Sequence, residues 1–263
     1  MRIVLIGAGR LASNLGPALR RAGHVVLGVV SRSLESARVL AERVDAPAFT
    51  VSDPFPTDAE LYVVSVTDDA LPSVVASLPD VGDALVVHTA GSLSMAVFEG
   101  TKVRNYGIFY PLQTFTKNVY TDFASIPCFL EANSAHSMQT LRSFAHTLSR
   151  DVFDLSSDQR RYLHLAAVFA CNFSNHCFAM AEQVLQQQGI PFRVLFPLID
   201  QTAGKVHLIS PREGQTGPAV RRDQHILQSQ EQLLAPWPEL QQIYRVMSES
   251  IQRFDNPNFL QND

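Results

Sequence analysis

Short runs of β-branched and aliphatic residues alternate with helical patterns over roughly the first 150 residues, and this alternation restricts the fold more than any other feature. Residues 2–6, 25–31, 61–66, 84–88, 103–109 and 128–131 read as strands. Residues 11–21 and 34–44 read as helices, and a third helix opens near Asp69. The strand runs stay apolar on both sides, as strands do when helices cover both faces of a sheet. Strand–helix alternation makes such neighbours parallel. The expectation is an α/β protein with a doubly wound, Rossmann-type sheet.

The texture changes near Ser156. From there "SSDQRRYLHLAAVFACNFSNHCFAMAEQVLQQQG" contains neither proline nor glycine until Gly189. Ser156 and Gln159 have the spacing of a capping box, and Gly189 is a fitting stop. The spacing predicts one helix over residues 157–188, about 45 Å long. Its middle is apolar on almost every side, so it needs cover all round. Too little chain remains to supply that cover, which makes a homodimer through this helix the expectation. Further helices follow: one over residues 194–203 and, after the turn-rich loop "SPREGQTGP", two more, the first opened by Thr216, Gly217 and Pro218 and parted from the second by Pro236 and Pro238. The chain therefore divides into a nucleotide domain, residues 1–155, and an all-α domain, residues 156–263.

Composition excludes several classes. The 263 residues carry a formal net charge of −4 with basic side chains scattered, so nucleic acid is not an expected partner. No apolar run reaches the length of a membrane span, and the run before Gly7 is too short for a signal peptide. Three cysteines, Cys128, Cys171 and Cys177, lack CxxC spacing, which argues against a disulfide framework or a zinc site. The expected location is the cytoplasm.

Gly7-Ala8-Gly9-Arg10-Leu11-Ala12 fits GxGxxA directly after the first strand. Gly7 permits a tight turn, Gly9 lets a pyrophosphate approach, and Ala12 lets the helix pack close. The N–H groups at the helix start, around Arg10 and Leu11, meet the anion. A dinucleotide site of the NAD type places an acid at the tip of the second strand to bind the ribose 2′-OH. Here the tip is Ser31-Arg32-Ser33. A guanidinium between two hydroxyls suits a 2′-phosphate, so the expected cofactor is NADP.

Ligands of an open parallel sheet lie beyond the carboxyl ends of its strands. The loop Val66-Thr67-Asp68-Asp69 ends one strand and would flank the nicotinamide, while Thr67 and Asp68 either serve there or cap the next helix. A second loop runs His88-Thr89-Ala90-Gly91-Ser92. His88 ends another strand, either at the substrate as a proton donor or as a fixed structural histidine. Tyr110 and Gln113 lie in a third loop. On the long helix His164 and Asn172 lie about 80° apart around an ideal axis, and Asn175 returns to the His164 face. This polar stripe faces either a substrate or a dimer interface. Histidine is a fitting acid for a reduced carbonyl or imine near neutral pH. Thr216 would open a helix able to bind a carboxylate.

The motifs "GAGRLA", "VVSRS", "VHTAGSLS", "YPLQTF", "YLHLAAVFACNFSNH" and "QTGPAVRRD", in this order, resemble a family of Rossmann proteins with a helical C-terminal domain of unassigned function, generally labelled NADP oxidoreductases. The family is similar in architecture to pyrroline-5-carboxylate reductase and the deazaflavin-dependent NADP reductases. The resemblance implies a helical domain like that of 6-phosphogluconate dehydrogenase and a homodimer. It carries the cofactor role onto Gly7, Gly9, Ala12 and Arg32, and sets His88, Gln113, His164, Asn172 and Thr216 around a pocket between domains. Many members have His-Pro where this chain has Tyr110-Pro111, and the long helix lacks the lysine of the 3-hydroxyacid dehydrogenases. His164 and Tyr110 are the candidate proton donors. The expected function is an NADP-dependent oxidoreductase acting on a small carbonyl or imine. The alternatives are a non-catalytic NADP sensor or scaffold and a reductase for a flavin-type coenzyme.

Overall fold

The computed structural model describes residues 1–117, 119 and 121–254. They fall into two compact units, residues 1–171 and residues from 172 onward.

The first unit is built on an eight-stranded sheet: β1 (Arg2–Ile6), β2 (Val25–Ser31), β3 (Ala48–Thr50), β4 (Leu61–Val64), β5 (Leu85–His88), β6 (Asn105–Pro111), β7 (Cys128–Ala132) and β8 (Val152–Asp154). Their spatial order is β3-β2-β1-β4-β5-β6-β7-β8. All neighbours are parallel except β6 and β7, which run antiparallel. The chain moves outward from β1 to β3, then returns to β4 on the other side of β1. That reversal puts the topological switch at the carboxyl ends of β1 and β4.

Two cores explain the unbroken apolar runs. Ile3, Leu5, Val63 and Phe109 pack on one face against Leu15, Leu19, Leu40 and Phe144. These come from α1 (Arg10–Arg21), α2 (Leu34–Val44) and α4 (Ala135–His146). Val4, Ile6, Tyr62, Val64 and Val86 point the other way, against Leu71 of α3 (Leu71–Ala76) and Phe98. Alternate residues thus enter opposite cores, each large side chain contributing roughly 1.5–3 kcal/mol on burial.

The expected single helix over residues 157–188 is interrupted. It comprises α5 (Ser157–Ala167), a π-helical segment (Val168–Phe173) and α6 (Ser174–Gln186). The capping box at Ser156 and Gln159 is present with both arms. The i→i+5 bonding of the π segment changes the angular spacing, so the ideal-helix stripe linking His164 to Asn172 and Asn175 does not hold. The sheet unit extends to Cys171, beyond the change of texture at Ser156, because α5 is tied to β6 and β7 by Arg160 and His164.

The second unit contains α6, a 3-10 turn (Phe192–Leu195), α7 (Phe196–Lys205), α8 (Gln224–Leu233) and α9 (Pro238–Phe254). The helix expected to open at Thr216 does not form. Residues 217–222 form turns, with Gly217 at φ +112° and Arg222 at φ +54°. A left-handed residue cannot continue a right-handed helix, so α8 starts at Gln224. Asp223 caps it by accepting from the Ile226 N–H. Glu231 of α8 then accepts from Arg245 of α9. Among the described residues no helix is long and apolar enough to cross a membrane, and no three metal-binding side chains gather.

Candidate functional site

The turn after β1 is held by contacts that only glycine allows. Gly7 has φ +113°, and a Cβ there would lie 2.0 Å from the Ser65 carbonyl oxygen at the end of β4. Its N–H donates to the Val30 carbonyl of β2 at 2.7 Å. Gly9 caps α1 with no side-chain bond, and no acid stands in the first turn. The nearest atom to a Cβ on Gly9 would be 4.0 Å away. The helix start thus presents free N–H groups and an uncompensated positive end to open space. Ala12, fully buried, brings α1 against the sheet. These residues fit a pyrophosphate, and Arg10 and Leu11 form the first turn beside it.

Ile6 of β1 is in register with Val30 of β2, so Ser31 and Arg32 emerge alongside the glycine turn. Arg32 is exposed, and its guanidinium has no carboxylate partner among the described residues. Ser33 caps α2, accepting from the Ser36 N–H at 3.3 Å while its hydroxyl proton stays available. The tip therefore offers one cation and two hydroxyl donors.

The ends of β4, β5 and β6 gather the remaining groups. Val66 is half-buried and Thr67 exposed. Neither Thr67 nor Asp68 caps α3 through its side chain; the cap residue is Ala70. Asp68 instead accepts a short hydrogen bond from the Ser92 hydroxyl, bridging the loops after β4 and β5. His88 is fully buried, stacked on Phe98 with ring centroids 5.7 Å apart. Its Nδ1 accepts from the Ala90 N–H at 3.2 Å. Burial first, and the Arg160 guanidinium second, push its pKa down to about 4. His88 is thus a neutral ring fixing the turn after β5.

Tyr110, 7% exposed on β6, forms a 2.9 Å hydrogen bond with Nδ1 of His164 on α5. In one tautomer the phenol donates to Nδ1; in the other the Nδ1 proton is donated to the phenol oxygen. Burial pushes the Tyr110 hydroxyl above its ordinary pKa of 10; Arg160 opposes this and Asp68 reinforces it. The imidazole lies so close to Gly91 that a Cβ there would be 2.5 Å from Nδ1. Gly91 therefore makes room for the pair.

Gln113 lies past β6, exposed, and its side chain accepts from the Thr114 N–H. Asn172, in the π-helical segment, and Thr216 belong to the second unit, and both are exposed. Sequence reasoning reached Asp68, Gly91 and Ser92 only as members of their loops, and it missed Arg160 and Glu131. Arg160 stands four residues before His164, the spacing of one helix face, and that was the available signal.

A glycine turn at the switch point, opening a helix beside a basic second-strand tip, defines a Rossmann-like α/β protein. Residues 1–105 match the model of a Rossmann-like domain, and residues 126–251 match that of a domain of unknown function, DUF2520. The chain belongs to the family of proteins that join these two domains. A protein of Bacteroides fragilis, whose crystal structure is described as a provisional NADP oxidoreductase, is 46% identical with a TM-score of 0.89. The match covers 95% of this chain and 97% of that one. A Thermotoga maritima protein is 22% identical with a TM-score of 0.70, covering 96% and 98% of the two chains. Pyrroline-5-carboxylate reductase of Streptococcus pyogenes is 14% identical with a TM-score of 0.62, covering 96% and 98%. The last two likenesses are of fold alone. No curated protein matches the sequence.

The buried His88 makes the fold sensitive to acid. The folded state holds the ring neutral, so unfolding takes up a proton at pH values between about 4 and the ordinary 6.5. Stability is whole above that window and falls as pH drops through it, by roughly 3 kcal/mol from this group. Denaturant midpoints measured near neutrality and at about pH 4.5 should differ much less for His88→Asn than for the unmodified protein. Equal losses would assign the acid sensitivity elsewhere.

Proposed function

We propose that the chain is an NADP-dependent oxidoreductase that moves a hydride between nicotinamide and a small carbonyl or imine. The observation that carries this reading is the Tyr110–His164 pair, 2.9 Å apart, at the sheet end that also bears the glycine turn. When bound, the nicotinamide supplies or receives the hydride. The residues of the chain do the rest. Gly7, Gly9 and the start of α1 hold the pyrophosphate. Ser31, Arg32 and Ser33 hold the 2′-phosphate, and Val66 and Thr67 flank the ring. Tyr110 carries its proton at neutral pH as any phenol does, burial raising its pKa further, and gives that proton to the substrate oxygen or nitrogen as hydride reaches carbon. His164, in the tautomer with its proton on Nδ1, passes that proton back to the phenolate oxygen as Nε2 takes one from water, so the ring stays neutral. The 46% identical Bacteroides protein, described as an NADP oxidoreductase, supports the cofactor choice.

A small-molecule substrate and a second copy of this chain are the proposed partners. Support for the copy comes from α6, which buries none of its residues within one chain and leaves Phe178 38% exposed. Phe196 and Leu198, in the next helix, are more than half exposed. Several large apolar side chains left exposed on consecutive helices are what a protein–protein interface covers. Sedimentation equilibrium should give twice the 29.1 kDa chain mass; a monomer at micromolar concentration overturns the dimer.

Reduced-cofactor consumption, screened over small aldehydes, ketones and cyclic imines, tests the reaction itself. Tyr110→Phe and His164→Gln should each lower turnover by about 10²–10⁴ while cofactor affinity is kept. Tight cofactor binding with no turnover of any such compound would instead favour a sensor. Arg32→Ala should lower the NADPH-to-NADH affinity ratio by about tenfold, the lower end for a charge-assisted bond because Arg32 is exposed. An unchanged ratio would reject the 2′-phosphate assignment.

A further inference from the structure

We propose that Arg160 is the positioning residue of this site, holding His164 at hydrogen-bond distance from Tyr110 through a buried clamp to Glu131 and the Leu93 carbonyl. The inference rests on the reading that Tyr110 and His164 handle a proton together.

Arg160 is 1% exposed, and it is the one buried residue of α5. The docking of this helix therefore depends heavily on a guanidinium. Nη1 donates to Glu131 Oε2 at 2.9 Å, and the same oxygen accepts from the Ser157 hydroxyl at 2.6 Å. Nη2 donates to the Leu93 carbonyl in a short bond and to the Ser157 hydroxyl at 3.2 Å. Each contact leads to a residue that bears on the pair. Leu93 lies two positions past Gly91, against which the His164 ring rests. Glu131 is the register partner of Ile108 on β6, two positions before Tyr110.

The spacing agrees along the sheet. From the Glu131–Ile108 level to Tyr110 is two strand residues, about 6.6 Å. From Arg160 to His164 is four helical residues on one face, about 6 Å. A helix pinned at Arg160 and climbing along β6 therefore arrives at Tyr110 with His164. The charge reaches the phenol as well: the Arg160 cation opposes the rise that burial imposes on Tyr110.

A merely structural pin would not need this chemistry. Burying an ion pair costs desolvation that well-packed apolar residues of similar volume avoid. What the planar fork adds is direction, since it fixes two bonds at once where a methionine would slide. The Arg160 Nε is buried without a partner among the described residues, a further cost retained at this place.

Nuclear magnetic resonance of ¹⁵N-histidine-labelled full-length protein tests the clamp without any substrate. In the native background, Tyr110→Phe should shift the His164 Nδ1 resonance, because it removes that atom's hydrogen-bond partner. In an Arg160→Met/Glu131→Gln background the same substitution should leave the resonance in place, with the fold confirmed by unchanged far-ultraviolet dichroism. An equal shift in both backgrounds makes Arg160 a structural residue only and overturns the proposal. Should the double variant not fold, Arg160→Lys keeps the charge but loses the fork, and it should lose about half of the shift or more; a full shift there overturns the proposal as well. No shift in the native background would instead reject the Tyr110–His164 pairing beneath it.

Discussion

The carbonyl of Ser65 occupies the space that a side chain on residue 7 would need, and the arrangement of the site follows from this close approach. It draws the turn after β1 onto the end of β4. Only a glycine, free to adopt φ +113°, permits it. Because β1 and β4 are the strands between which the winding reverses, the contact closes the floor of the crevice where such sheets receive ligands. The helix start stands on one side of it. On the other stand the loops that bring Asp68, Ser92 and Gly91 toward Tyr110.

Much of the sheet could be read in the sequence because its strands are apolar on both faces. β1, β2, β4 and β5 each carry several aliphatic or aromatic residues in succession, and each strand feeds both cores through alternate residues. β3 and β8 escaped notice because three residues are too few to show a period. Helix α4, "AHSMQTLRSFAH", buries only Ser137, Leu141, Phe144 and Ala145 among polar residues, a weak stripe against so much polarity. The capping box at Ser156 was legible because both of its partners lie within one turn. The π-helical segment was not, since nothing in "VFACNF" differs in composition from the α-helix around it.

The site divides along the same line. Gly7, Gly9 and Arg32 follow from local pattern, as their roles depend on the few residues around them. Tyr110 and His164 could be named as candidates, but their hydrogen bond joins positions 54 residues apart, and no spacing rule reaches so far. Arg160 and Glu131, 29 residues apart, are invisible for the same reason. His88 shows the opposite failure. Its place at a strand end was evident, whereas the enclosure by Phe98 and the neutral charge that follows are properties of the packed fold.

The one antiparallel neighbour in the sheet, β7 beside β6, decides from which side later parts of the chain can reach the crevice. Six co-directional strands deliver their ends to the same rim, so a segment leaving that rim can only travel away from it. Reversing β7, and with it β8, drops the polypeptide at the far rim first. The next helix must then ascend, and on the way up it presents Arg160 to β7 and His164 to Tyr110 of β6. A single change of heading makes the segment that follows the sheet a second wall of the candidate site.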